Sequence, residues 1–166
     1  MYLEGGFFKR IRPLGKNMNN RNITPPTYLL IAMLLEIALG IWLPVMKLVS
    51  SPWTYLGLIP LAVGIIINLR ADRVFHMAGT AVDPPKAPSV LVTEGPYRWT
   101  RNPMYLGFVL ILIAAAVLLG SLSPYIIVIA FTLFINGKFI TMEEQKLDAL
   151  LGIQWEMYKQ RTRRWL

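Results

Sequence analysis

Long apolar runs separated by short basic stretches restrict this chain more than any other feature. Residues 28–46 are apolar apart from Glu36, and residues 53–69 form a second run that carries Pro60 and Gly64. Residues 104–119 and 125–140 make a third and a fourth. A helix needs about 20 predominantly apolar residues to cross ~30 Å of hydrocarbon. The runs therefore predict an all-α polytopic membrane protein with about four transmembrane helices. A composition that is 55% hydrophobic and 16% charged suits that class and excludes disorder. With 166 residues, one membrane-embedded domain spanning 1–166 is expected.

The basic residues orient the spans. Lys9, Arg10, Arg12, Lys16 and Arg21 precede the first run; Arg70, Arg73, Lys86, Arg98 and Arg101 lie between the second and third. Lys146, Lys159, Arg161, Arg163 and Arg164 follow the fourth. Only Lys47 lies between the first and second, and no basic residue lies between the third and fourth. Cytoplasmic loops carry the excess of Lys and Arg, so both termini and the 70–103 loop are expected in the cytoplasm. The sequon-like Asn22-Ile23-Thr24 then lies on the wrong side for glycosylation. No secretory signal is apparent, because the first 26 residues are polar and basic.

The same distribution disposes of other classes. A net charge of +8 suggests nucleic acid, but the charges sit between apolar runs and leave no soluble basic domain. The absence of cysteine removes thiolate zinc sites and a cysteine nucleophile. A single histidine, His76, argues against a multi-histidine metal site and a Ser-His-Asp triad. No metal is expected.

The uncharged turn 120–124 predicts that the third and fourth runs form an antiparallel hairpin. The fourth is expected to continue as helix to about Lys159. That is roughly 50 Å at 1.5 Å per residue, so it must project into the cytoplasm or bend, with Gly137 as the place for a bend. Its distal part reads as an amphipathic C-terminal helix with Leu147, Leu151, Trp155 and Tyr158 on one face.

Polar chemistry concentrates at two places. In the stretch Glu94 to Gly107 (EGPYRWTRNPMYLG), Gly95-Pro96 signals a turn, Pro103 suits a first helical turn, and Asn102 suits a helix cap. Arg98 and Arg101 then stand at a helix N-terminus, which itself favours an anion. Topology or lipid phosphates also explain two arginines there. In the tail, adjacent Glu143 and Glu144 read either as a solvated helix terminus or as acceptors for a hydroxyl-rich ligand. Glu36 within the first run reads as functional, or as a structural group bonded to Asn68 or another polar group between helices.

The order of these segments resembles the isoprenylcysteine carboxyl methyltransferase and phospholipid methyltransferase superfamily. The resemblance runs from about residue 75 to 166. It rests on Gly79-Thr80-Ala81-Val82-Asp83-Pro84, on Leu91-Val92-Thr93-Glu94-Gly95-Pro96-Tyr97-Arg98 and on Arg101-Asn102-Pro103-Met104-Tyr105-Leu106-Gly107. In the tail it rests on Glu143-Glu144, Leu147, Leu151-Gly152, Trp155, Tyr158 and Arg164-Trp165. Departures are Asn102 where the family often has His, Leu151 where it has Phe, and Trp155 where it has Tyr.

The resemblance implies S-adenosylmethionine as cofactor, with S-adenosylhomocysteine as product. By motif position Tyr97, Arg98, Arg101 and Asn102 would hold the methionine end, with Gly95 in the turn before them. Glu143 or Glu144 would accept from the ribose hydroxyls, and Tyr105 and Tyr158 would wall the sulfonium. Leu91, Val92 and Trp155 are candidates to cover the adenine. Arg161 or Arg164 would position a carboxylate acceptor, and Glu36 or a tail glutamate would serve an amine. The implied partner is a lipophilic or lipidated substrate taken from the bilayer, besides membrane lipids themselves. Isoprenylcysteine carboxyl O-methylation is the leading expectation. Phospholipid amine N-methylation, an NADPH-dependent sterol-type reductase and a non-enzymatic scaffold are the alternatives.

Overall fold

The computed structural model describes residues 24–77 and 91–166. Pro25 opens α1 (Pro25–Trp42), where its missing N–H costs nothing in the first turn. The helix stops short of the expected residue 46 because Pro44 cannot continue it. A 3₁₀ turn (Trp53–Gly57) leads into α2 (Leu58–Met77), which extends past the expected end at 69. The chain re-enters through a 3₁₀ turn at Gly95–Arg98, and Pro103 starts α3 (Pro103–Leu119). Gly120, at φ 70°, takes the left-handed cap that ends α3. The expected hairpin to α4 (Pro124–Ile135) follows.

Three helices among the described residues are long and apolar enough to cross a membrane: Pro25–Trp42, Trp53–Met77 and Pro124–Leu151. α3 is apolar but shorter, and it is the central element, packed against α1, α2 and α4. Leu112, Ala114 and Ala116 of α3 are buried, whereas Leu34 of α1, Ile59 of α2 and Leu133 of α4 are each about three-fifths or more exposed, at 62%, 61% and 68%. Large apolar side chains turned outward on three helices suit hydrocarbon rather than water as solvent. The protein is therefore an integral membrane, all-α protein.

Small residues set how closely α2 approaches α3. A Cβ at Gly64 would meet the Gly107 carbonyl oxygen at 2.8 Å, and one at Gly107 would meet the Gly64 oxygen at 2.9 Å and collide with Asn68 Nδ2. Gly57, Gly64 and Ala71 recur every seventh residue along this contact, and all three are buried. Small residues that let backbones approach are the usual basis of helix pairing in lipid. Gly64 therefore permits the packing of α2 on α3.

The two ends of the bundle differ. At one, the α1–α2 and α3–α4 connections pair by backbone bonds, Leu48 and Val49 N–H to the Gly120 carbonyl at 2.8 and 3.1 Å and Leu122 N–H to that of Met46 at 2.8 Å. At the other, the start of α3 meets the tail, with Arg101 N–H donating to the Arg163 carbonyl at 2.9 Å. Connections predicted to share a side of the membrane thus share an end.

The tail corrects the expected single long helix. A π-helical turn at Asn136–Ile140 separates α4 from α5 (Thr141–Leu151), at the position foreseen for a bend. The Thr141 hydroxyl donates to the Asn136 carbonyl at 2.9 Å, closing the wide turn. Helix then breaks at Gly152, whose φ of 50° an L side chain adopts only under strain, and resumes as α6 (Ile153–Arg161). The break changes the predicted face: Trp155 and Tyr158 are buried, while Leu147 and Leu151 are only half-buried. The segment 79–84 and Asn22-Ile23 lie outside the described residues.

Candidate functional site at the polar end

Arg101 organises this end. Its Nε and Nη2 reach the same carboxylate oxygen of Glu144, at 3.1 and 3.0 Å. Its Nη1 donates to the Lys159 and Thr162 carbonyls at 3.2 and 2.8 Å, which closes the C-terminus of α6. The guanidinium carbon also lies 5.8 Å from the centre of the Trp155 ring. Arg164 Nη2 donates to the other Glu144 oxygen. One carboxylate is thus held between two guanidinium groups, with both Arg101 and Glu144 side chains about nine-tenths buried (11% and 12% exposed). Charge-assisted bonds of this kind are among the stronger ones in proteins.

The motif around Arg101 clamps the tail. Thr100 Oγ1 and Asn102 Nδ2 both donate to the Arg164 carbonyl at 3.0 Å. Asn102 occupies the cap position of α3, but its side chain makes no cap bond. The expected capping role is therefore replaced by an anchor for the C-terminal strand of residues. Arg101, expected to present a free cation at a helix N-terminus, is turned instead onto Glu144.

Beside this clamp, the Tyr105 hydroxyl donates to Glu143 Oε1 at 2.7 Å. Tyr158 donates to the Tyr97 carbonyl at 2.7 Å, which ties α6 to the turn before α3. Burial raises the Tyr158 hydroxyl to about 12, against a partial opposing effect of the nearby Arg101 charge. Burial, with weaker help from Tyr158, Glu143 and Asp72, raises that of Tyr97 as well. Both remain protonated donors at neutral pH.

Not every expected residue joins this cluster. Arg98 and Arg161 are exposed, and no hydrogen bond or ion pair holds them among the described residues. Val92 and Tyr97 pack with Ala71 under α2, while Leu91 is half-buried beside them. Gly95, at φ 59°, makes the turn that brings Tyr97 inward. Glu36 stands well apart. It is fully buried on α1, and Ser123 at the start of α4 donates to the Leu39 carbonyl one turn further on, at 3.4 Å. From Tyr125 at that end to Glu143 is 18 residues, roughly 27 Å along a helix. Neither Glu36 oxygen has a partner among the described residues, and Asn68 donates to the Gly64 carbonyl at 3.0 Å instead of meeting Glu36.

Two further buried polar atoms, Trp155 Nε1 beside this cluster and Asn68 Oδ1 in the contact between α2 and α3, have no partner among the described residues. Buried polar groups are nearly always satisfied, so an orphan beside a charged cluster marks a place where a ligand atom would fit. The sequence offers Trp155 only as an apolar cover, and no periodicity in it distinguishes the two uses. Asn68 is brought against Gly107 by the glycine contact described above.

Comparison with known proteins gives a consistent family. The chain matches the phospholipid methyltransferase family over residues 52–153. An uncharacterized protein of Haemophilus influenzae is 43% identical over 63 residues, 38% of this chain and 100% of that protein. Methanethiol S-methyltransferase 1 of Bradyrhizobium diazoefficiens is 31% identical over 87 residues, 52% of this chain. That match covers 28% of the Bradyrhizobium protein's own length. No solved structure matches the chain.

Proposed function

This chain belongs to the phospholipid methyltransferase family, and we propose that it transfers a methyl group from S-adenosylmethionine to a lipophilic acceptor taken from the bilayer. One observation carries the reading: Glu144 held between Arg101 and Arg164, beside Glu143, with Arg101 against the ring of Trp155, whose N–H is an orphan, at the polar end of a membrane bundle. The donor set fits the cofactor. Guanidinium groups suit the methionine carboxylate, carboxylates suit ribose hydroxyls, and the Trp155 and Tyr158 faces suit a cation or a purine. Arg98 and Arg161, exposed nearby, add positive field for an anionic end.

When bound, the cofactor supplies an activated methyl whose leaving group departs as a neutral thioether. The chain's residues then need only bind, align and exclude water. Alignment alone supplies about 7–11 kcal/mol in favourable cases. Arg101 and Arg164 already neutralise Glu144, so the cofactor must exchange partners within this cluster. Arg164, at 39% side-chain exposure against 11% for Arg101, is the arginine free to move.

The acceptor reaches this end from lipid, with a prenylated cysteine carboxylate and a phospholipid amine as the leading classes. A thiol is a third, since a matched relative is called a methanethiol S-methyltransferase. The family match favours a methyltransferase over a reductase. Calorimetric titration of the detergent-purified protein with S-adenosylhomocysteine, in parallel with NADPH, tests the proposal. Saturable binding of the first alone, weakened in Arg101→Lys, is expected. Binding of NADPH alone, or of neither in a folded sample, would sink it.

A further inference from the structure

The Lys138 ammonium sits among three aromatic rings contributed by two helices. Its Nζ lies 5.4 Å from the ring centre of Tyr28, 5.2 Å from that of Phe134 and 5.9 Å from that of Phe139. The rings are themselves neighbours, with centroids 5.0, 5.5 and 6.1 Å apart and planes inclined at 53°, 65° and 66°. They form three walls. The remaining side is open, since Lys138 is exposed. A lysine that merely extends toward water needs no such enclosure.

The charge of this lysine is unanswered. No carboxylate lies within ion-pair distance among the described residues, and the one hydrogen-bonding contact is to the Tyr28 hydroxyl at 3.4 Å. An ammonium has three donors and accepts nothing, so at least two remain for an external acceptor. The level is that of a lipid head group: Tyr28 is in the first turn of α1, and Lys138 lies just before the polar α5. Along the hydrocarbon side, Ile31 and Leu35 of α1 and Ile126 of α4 are exposed by 43%, 52% and 60%. The π-turn carries Lys138 outward while Phe139 and Ile140 stay buried, so the helix irregularity itself aims the cation.

We propose that Lys138 and the Tyr28 hydroxyl bind the phosphate of a membrane lipid whose chains lie along the exposed apolar faces of α1 and α4. The rings hold the ammonium in place, and the phosphate takes its free N–H donors from the open side. This inference rests on the cage and is independent of the methyl donor.

Binding of dioctanoyl phosphatidic acid to the intact detergent-purified protein, followed by native mass spectrometry, tests it. Dioctanoylglycerol and inorganic phosphate serve as the tail-only and phosphate-only arms. Retention of the phosphatidic acid is expected, with neither other compound retained. Lys138→Met should weaken it about five-fold, the size of one basic residue's attraction to an anionic membrane surface. Lys146→Met, the same charge change on exposed α5 without a cage, should leave it unchanged. Tyr28→Phe should weaken it less, because the ring wall survives. Equal losses in the two lysine variants would reduce the effect to general charge and overturn the proposal. So would unchanged binding in Lys138→Met, and retention of inorganic phosphate alone would identify a soluble anion instead of a lipid.

Discussion

Glu36 and Glu144 are both buried carboxylates, yet their surroundings are opposite. Glu36 lies within α1, fully enclosed and with neither oxygen partnered among the described residues. Glu144 lies where the fourth apolar run gives way to a polar helix, with a guanidinium on each oxygen. The difference follows from position. Near the helix ends, arginines from a loop and from the tail can reach the carboxylate. Within α1, no arginine or lysine among the described residues pairs with the carboxylate. The polar end can therefore assemble a charged binding site, whereas Glu36 is a single costly group far from it.

The largest effect should come from breaking the clamp. Glu144→Ala leaves two arginines without their counter-charge, and about 3–5 kcal/mol of stability should be lost. A fluorescence melt in detergent measures it, alongside loss of S-adenosylhomocysteine binding. If Glu144→Ala melts like the parent, the clamp contributes nothing to the fold. Gly107→Ala should cost about 1–3 kcal/mol by overpacking, because the new methyl meets Asn68 and the Gly64 carbonyl. That loss should not respond to salt, which separates packing from charge.

Arg164→Ala removes the more exposed partner of Glu144 and leaves Arg101 in place. A loss of about 1.5–3 kcal/mol is the ceiling for a hydrogen bond to a charged group. Its partial exposure should place the result at the low end, with a larger effect on cofactor affinity than on the melt. Tyr158→Phe removes the bond to the Tyr97 carbonyl and should cost about 1 kcal/mol. Glu36→Gln should have the smallest effect, since no cation is left behind. Stability should change by under about 1 kcal/mol, with turnover retained. Loss of turnover without loss of fold would place Glu36 in the chemistry despite its distance.

Much of the fold was legible because it depends on local composition. Apolar length located the helices, Pro103 marked the start of α3, and Gly120 marked the turn, whereas the starts at Pro25 and Pro124 came from the structure. Gly152 was less legible: a helix-period pattern continues through it, but its positive φ breaks the helix and moves Trp155 and Tyr158 to a new surface. The candidate site was legible as a set of residues rather than as a geometry. Asn102 has the composition of a cap and serves instead as a tail anchor.

From the sequence alone followed an all-α membrane protein with its basic residues gathered at one end and two glutamates where the apolar fourth run closes. Those properties depend on residues a few places apart, and helix periodicity and transfer energy act over that range. Only the tertiary structure decided that Arg101 meets Glu144 across 43 residues and that Asn102 meets the Arg164 carbonyl across 62. It also decided that Gly64 and Gly107 bring α2 onto α3 and that Lys138 falls among three rings. Such pairings depend on the reach and direction of side chains on helices already packed, which no spacing along the chain encodes.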